Sequence, residues 1–431
     1  MAHFGVVAPA FHSHFNALAA LALVLVERGH RVTFLHRPDA AGYVTDARLG
    51  FHAVGATTHP PGSLAASLRR AANPGSPLGL RRVIVDMAQS TDMLCRELPA
   101  AIEALGIDAI VGDQMEAAAG LVAEALELPL VSVACALPVN REAGVPLPVM
   151  PFAWGQDERA LKMVEGSTRV YDWMMAPHRR VIETRSRAFG IPVRGMLHEC
   201  LSPLAQISQT VAAFDFPRRH LPAHFHHVGP LRHGAAKAVS SSPMPPITGD
   251  RPFVFASLGT LQGQRFGLFR RIAQACRMLD VQLLVAHCGG LDARQCEAIV
   301  KAGADWVCAF APQQEVLACA DAVVSHAGLN TAMDAIAGRT PILALPIAFD
   351  QPGVAARISH AGIGLRASPR LASARQLAGH LRRLLDEPAF GHRLDTMAGT
   401  VLHAGGAPRA ADIVEKALGL QGADAAASAS A

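Results

Sequence analysis

The chain lacks a membrane-spanning run near its start: the longest apolar stretch there, Ala17 to Val26, is ten residues and meets Glu27 and Arg28 at once. A span needs about 20. No basic segment precedes it, so it does not read as a secretory signal, and a cytoplasmic location is expected. Charge is also scarce. Only 17% of the residues are Asp, Glu, Lys or Arg, and the formal net charge of +4 is small for 431 residues. No basic stripe interleaved with aromatics is present, which argues against a nucleic-acid partner. The eight cysteines form no C-x-x-C pair and no zinc-like spacing, so they read as reduced, mostly buried thiols. No D-x-D pair or acidic metal cluster is evident, and no metal is expected. Glycine is missing where a dinucleotide site would need it. The turn after the first apolar strand reads "APAFHSHFN", and Pro9 and Phe11 would crowd a pyrophosphate. The "GIG" at Gly362 to Gly364 has no strand before it, so a nicotinamide or flavin cofactor is not expected.

What is present is a long alternation of buried strands and helices. "FGVVA" (Phe4 to Ala8) is followed by apolar residues at the helical period, Leu18, Leu21, Ala22 and Leu25, then by a break at Gly29 and a second strand "RVTFL". This is a βαβ opening, whose first turn lies at the ligand-binding carboxyl edge of a parallel sheet. The turn holds two histidines, His12 and His14, and either could serve a site. The pattern continues through "DAIVGD", "MEAAAGLVAEALEL" and "PLVSVACA", loses its period in the Ser- and Pro-containing stretch 231–250, and resumes at "RPFVFASLG". The expectation is an α/β protein of two doubly wound, Rossmann-like, parallel-sheet domains facing each other across a cleft. Residues 1–230 form the first, 231–250 the linker and 251–420 the second, with a disordered low-complexity tail at 421–431.

The most informative segment is "FAPQQEVLACADAVVSHAGLNTAMDAIAGRTPILALPIAFDQ", Phe310 to Gln351. Strand "DAVVS" ends at Ser325, "HAGLNT" turns on Gly328, and a helix begins whose free N–H groups, with Asn330 and Thr331, suit a phosphate. An ordinary glycine turn capped by Asn330 or Thr331 explains the same residues. Asp350 and Gln351, at the end of the next strand, add two polar side chains on the same sheet edge.

This segment resembles the donor signature of the UDP-glycosyltransferase family, with "FAPQ", "HAGLNT" and "DQ" in register and the 24-residue step from His326 to Asp350 matched without a gap. The resemblance implies the two-domain GT-B fold, an inverting, metal-independent transfer, and UDP-glucose as donor co-substrate with no further cofactor. It implies that Phe310 stacks on uracil beside Ala311 and Gln313, and that His326, Gly328, Asn330 and Thr331 hold the diphosphate. Gly259 and Thr260 of "SLGT" would belong to the first phosphate loop. Asp334 would meet the ribose hydroxyls in place of the usual glutamate, and Asp350 and Gln351 the glucose. In the first half, the sixteen residues from His14 to His30 match the family's spacing. That match implies His14, rather than His12, as catalytic base and Asp113 of "GDQ" as its orienting carboxylate. Ser13 stands where the family usually has glycine, and Ala17 where it usually has proline.

Segments "HPPGSL", "DMLCRELPAA", "VSVACALPVNRE", "SPLAQISQ", "ASLGTLQG" and "FDQPGVAARI" resemble the carotenoid-glucosylating members of that family from end to end. They imply a long hydrophobic alcohol as acceptor. Such an acceptor resides in a bilayer, so a peripheral membrane contact is expected from two loops. One carries Leu64, Leu68, Leu78 and Leu80 beside Arg69, Arg70, Arg81 and Arg82; the other presents Val149, Met150, Phe152 and Trp154. A nucleotide-sugar epimerase and a non-catalytic UDP-sugar-binding module are the alternatives from other classes. A polyketide or hydroxy fatty acid is the alternative acceptor.

Overall fold

The computed structural model describes residues 1–234 and 244–420, so the middle of the expected linker and the expected disordered tail lie outside the described residues. Within them the strands form two parallel sheets. The first contains β1 (His3–Val7), β2 (Arg31–His36), β3 (Gly50–Ala53), β4 (Ala109–Asp113), β5 (Leu130–Ala134), β6 (Ala205–Ser208) and β7 (Phe225–His227), in the order β3-β2-β1-β4-β5-β6-β7. The second contains β8 (Phe253–Ser257), β9 (Gln282–Ala286), β10 (Trp306–Cys308), β11 (Ala322–Ser325), β12 (Ile342–Ala344) and β13 (Gly364–Arg366), in the order β10-β9-β8-β11-β12-β13. Helices cover both faces, which is why β1, β4, β5, β8 and β9 are buried along their whole length and read as continuous apolar runs. The strand order reverses at β1, between β2 and β4, and at β8, between β9 and β11. Both reversals open a crevice at the carboxyl edge, so the α/β class and the facing doubly wound halves are as expected.

Two boundaries differ from expectation. The strand read through "LALPIAF" ends at Ala344 and gives way to a turn, which frees Asp350 to begin a helix. The stretch 251–420 does not stay with the second half. Its last helix, Gly406–Ala417, packs Ala407, Ala410, Ala411 and Val414 into the core around the first helix, His12–Glu27. The reason is compositional: the first helix has almost no polar face, burying Phe15, Ala17, Leu18 and Ala20 to Leu25, and so needs cover on its second side. Arg28 Nη1, 2.6 Å from Glu415 Oε2, and His30 Nε2, 3.1 Å from Glu415 Oε1, fix the returning helix.

The halves are joined by a buried ion cluster. Arg357, fully buried on the helix Gln351–His360, donates from Nε to Asp215 Oδ1 at 2.6 Å, and Arg218 Nε reaches Asp215 Oδ2 at 3.1 Å. The Arg357 guanidinium also lies 4.2 Å from the centre of the Phe216 ring. Leu137, Val211 and Phe214 of the first half enter the apolar core of the second. These contacts hold the two carboxyl edges face to face, with the Phe11 and Phe349 rings meeting at 5.6 Å.

The loops expected at a membrane are only partly outward. Leu64 and Met150 are buried, Leu68, Phe152 and Trp154 are half-buried, and Arg70 is paired with Asp86 at 2.7 Å. Leu78, Leu80 and Val149 do project, with Arg69, Arg81 and Arg82 exposed beside the first two. Leucines 64 and 68 turn inward because α-helical residues four apart share one face, and that face packs on the neighbouring helix Pro77–Leu105 and the first core. Among the described residues no helix is long and apolar enough to cross a membrane.

Candidate active site

His12 and His14 both fall in the first turn of the first helix. Two helical residues two apart point to different sides. His12 turns to the rim, against the Tyr43 ring and within 3.3 Å of Asn16 Nδ2. His14 turns inward to Asp113, the last residue of β4, whose side chain is fully buried. Asp113 Oδ2 accepts from His14 Nδ1 at 2.7 Å, and Oδ1 accepts from the Met115 amide at 2.8 Å. With Nδ1–H committed to the carboxylate, the other ring nitrogen, Nε2, is the one left to take a proton. Burial alone would lower the His14 pKa. The Asp113 charge and hydrogen bond, helped by Asp350, outweigh it and leave the imidazole raised above its ordinary value.

Facing this pair is the turn after β11. The positive φ that makes it tight belongs to Ala327, at +65°, and Gly328 has an ordinary φ of −65°, so the turn does not pivot on Gly328 as the sequence suggests. The glycine is needed for another reason. A Cβ at Gly328 would come within 2.6 Å of His326 Nε2, and one at Gly259, where φ is +74°, within 2.6 Å of His326 Cε1. The imidazole thus lies between two glycine backbones. Burial pushes its pKa down to about 4, so it is a neutral side chain there. The helix Leu329–Ala337 then starts without a side-chain cap, leaving its first N–H groups for a ligand.

Other residues of the expected donor site are engaged differently. Asp334 does not present a free carboxylate for a ribose: Oδ1 accepts from Arg232 Nε at 3.0 Å and Oδ2 from Gln313 Nε2 at 2.7 Å, and the residue is buried. An aspartate, one methylene shorter than glutamate, stays within reach of these donors instead of extending past them. Thr331 is buried as well and donates to Gln313 Oε1 at 3.3 Å, and Asn330 Nδ2 crosses the cleft to the Ser13 carbonyl at 3.3 Å. Phe310 and Thr260 are exposed and Ala311 half-buried at the rim. Asp350 Oδ2 accepts from the Leu137 amide of the first half at 3.3 Å, and burial pushes its carboxyl up. Gln351 Oε1 accepts from the amides of Ile347 and Ala348, at 2.8 and 2.9 Å, so its carbonyl end is spent on the turn.

Two residues that the sequence does not single out belong to the site. Arg232, in the expected linker, neutralises Asp334 and donates from Nη2 to the Asn330 carbonyl at 3.2 Å. Nothing local marks it, since its partners lie 98 and 102 residues away. Cys135, just past β5, brings its sulfur to the His14–Asp113 pair. Only the pairing of β4 with β5 reveals it, by setting Asp113 beside Val133.

The family model described as "UDP-glucoronosyl and UDP-glucosyl transferase" matches residues 6–405. A zeaxanthin glucosyltransferase of Pantoea ananas is 49% identical over 418 residues, covering 97% of this chain and 96% of that protein. A zeaxanthin glucosyltransferase of Pseudescherichia vulneris is 46% identical, covering 97% and 98%. Among solved structures, the calicheamicin glycosyltransferase CalG4 superposes with a TM-score of 0.72 at 21% identity, covering 97% of this chain and 99% of that one.

Proposed function

This chain belongs to the UDP-glycosyltransferase family, and from that premise we propose that it transfers glucose from UDP-glucose to the hydroxyls of zeaxanthin, giving the mono- and diglucoside. The observation that carries the acceptor is the 49% identity to a zeaxanthin glucosyltransferase over 418 residues, a length that spans both halves. A donor motif alone is shared by enzymes with many acceptors.

In this reading the acceptor O–H gives its proton to His14 Nε2 as the oxygen attacks the anomeric carbon. The bond to the UDP oxygen breaks with its electron pair going to the diphosphate, and attack from the opposite face turns an α-donor into a β-glucoside. Asp113 holds the tautomer and stabilises the imidazolium that forms. Asp350 lies close enough to stabilise it as well, since His14 and Asp350 shift each other's protonation. Charge gathering on the diphosphate is met by the uncapped N-terminus of the helix Leu329–Ala337, beside neutral His326. Purified protein incubated with UDP-glucose and zeaxanthin is expected to yield a β-linked glucoside and UDP. Epimerised sugar nucleotide without transfer, or tight UDP-sugar binding without product, would favour the alternative classes.

The acid limb of kcat/KM should follow His14. A base must be neutral, and a raised imidazole pKa means activity climbs with pH through a value above the ordinary one. Asp113→Asn removes the charge that raises it, so the limb should move to lower pH while kcat falls. Glu116, pushed up to about 7 by burial, titrates nearby, but its Oε1 accepts from Thr91 and the Ala118 amide. A limb unmoved in Asp113→Asn would assign the profile to another group such as Glu116.

For a bilayer-resident acceptor the exposed tip of the helix Pro77–Leu105 is the docking element, with Leu78, Leu80, Arg81 and Arg82 beside Arg69. Leucines enter the headgroup region and arginines are drawn to anionic lipid. Wild type should float with phosphatidylglycerol-containing vesicles at low salt, and a variant with Arg69, Arg81 and Arg82 replaced by Glu should not. Equal flotation of the two would reject this surface.

A further inference from the structure

Three chemically unlike metal-ligating side chains meet at the His14–Asp113 pair. A His14 ring nitrogen, an Asp113 carboxylate oxygen and the Cys135 sulfur lie within 4.8 Å of one another. The Cys135 thiol hydrogen-bonds the Asp113 carboxylate but does not touch the proton being moved, and a hydrogen bond to a carboxylate does not by itself call for sulfur. Yet it is held in place. Cys135 is buried, its carbonyl accepts from Gln209 Nε2, and the Met115 amide fixes the far oxygen of Asp113. Imidazole, carboxylate and thiolate together form a donor set that suits Zn2+ and is poor for Mg2+ or Ca2+, which take oxygen ligands.

We propose that His14, Asp113 and Cys135 form a binding site for a soft divalent cation, Zn2+ above all, and that its occupancy switches transfer off by capturing the base. Zinc bonds of about 2.0–2.3 Å set tetrahedral ligand atoms about 3.3–3.8 Å apart. The three atoms therefore reach a zinc geometry by shifts on the order of an ångström, the His14–Asp113 bond opening to admit the ion. The ion enters from the cleft, because the His14 side chain is 14% exposed while that of Asp113 is 0% exposed. Three protein ligands leave the fourth position to water. On binding, the Cys135 S–H proton is released to solvent and the His14 proton moves from Nδ1 to Nε2, so that the thiolate, the Asp113 carboxylate and Nδ1 of the neutral imidazole each give an electron pair to the metal, and nothing is oxidised or reduced. A nitrogen ligated to zinc on the dyad side pulls the ring out of the position from which it would take an acceptor proton. The inhibition rests on the proposed role of His14; the binding does not.

The test uses the full-length protein and Co2+ as a spectroscopic substitute for Zn2+. Wild type should develop a near-ultraviolet thiolate-to-cobalt charge-transfer band that Zn2+ abolishes, and Cys135→Ser should show a clearly smaller band. In the glucosylation assay Zn2+ should inhibit wild type, EDTA should restore it, and Mg2+ should have no effect. Measured against its own zinc-free rate, Cys135→Ser should need at least ~10-fold more Zn2+ than wild type for the same fractional inhibition, the usual cost of weakening a metal site. No cobalt band in wild type, an equal band in both proteins, or equal zinc sensitivity would overturn the site. A cobalt band dependent on Cys135 in a protein that transfers no glucose would uphold the metal site and reject the glucosyltransferase reading instead.

Discussion

His14→Ala is expected to lower kcat by at least ~100-fold, the ordinary loss for a general base, while UDP affinity stays within about twofold. The separation of effects follows from the architecture. His14 rides on the first helix, against Asp113 of the first sheet, whereas Gly259, His326 and Gly328 all belong to the second half. Removing the imidazole deletes the proton acceptor without touching the backbone that surrounds His326. His14→Asn should behave like His14→Ala, because an amide fills some of the space but accepts no proton at neutral pH. His12→Ala should stay near wild type, since His12 sits at the rim against Tyr43. Single-turnover rates with zeaxanthin, together with calorimetric titration of UDP, would decide the matter. Near-normal turnover in His14→Ala with loss in His12→Ala would reverse the assignment.

The largest stability effect is expected at Asp215. Its carboxylate is 2% exposed and serves two buried guanidiniums, Arg357 at 0% and Arg218 at 6%. Asp215→Ala leaves both cations without their counter-charge in a site that water does not reach, and the expected cost is about 3–5 kcal/mol in urea unfolding. The pair in apolar form is a different case: Asp215→Leu with Arg357→Met should recover part of the loss, because the most deeply buried cation then leaves together with its counter-charge. The pH dependence has a definite sign. Burial pushes the Asp215 carboxyl up, but the Arg357 and Arg218 charges outweigh this and hold it below the usual carboxylate value. Its contribution is therefore complete above the unfolded pKa and is lost as pH falls through the folded one. An Asp215→Ala protein within about 1 kcal/mol of wild type would show that the cluster is not what joins the halves. Because Asp350 and Gln351 begin the same helix that carries Arg357, the variant should also weaken donor use, seen as a raised KM for UDP-glucose.

Much of the frame is legible without coordinates because it depends on short-range physics. Strands β1, β4, β5, β8 and β9 are buried on both faces, so they announce themselves as apolar runs between turn residues, and their alternation with helices dictates parallel pairing. The facing sheet edges, and hence the region of the site, follow from that alternation. The candidate residues are legible only through the family resemblance that the spacings from His14 to His30 and from His326 to Asp350 carry, since local pattern leaves His12 and His14 equivalent.

What only the tertiary structure decided is which groups meet once those local pieces are stacked. The partners of Asp334 are 102 residues away in Arg232 and 21 away in Gln313, and no local pattern says that its two oxygens are already taken. The return of the helix Gly406–Ala417 to the first half is settled by an apolar face that the first helix cannot bury alone. The choice of Gly259 and Gly328 follows from the thickness of one imidazole ring, a packing constraint between two segments far apart along the chain. The sequence by itself determined the elements, their order and the edge where ligands sit, since each is written in residues near one another along the chain. Long-range pairing decided the charge state and the free valences of the site, since burial and counter-charge depend on atoms that only the folded chain brings together.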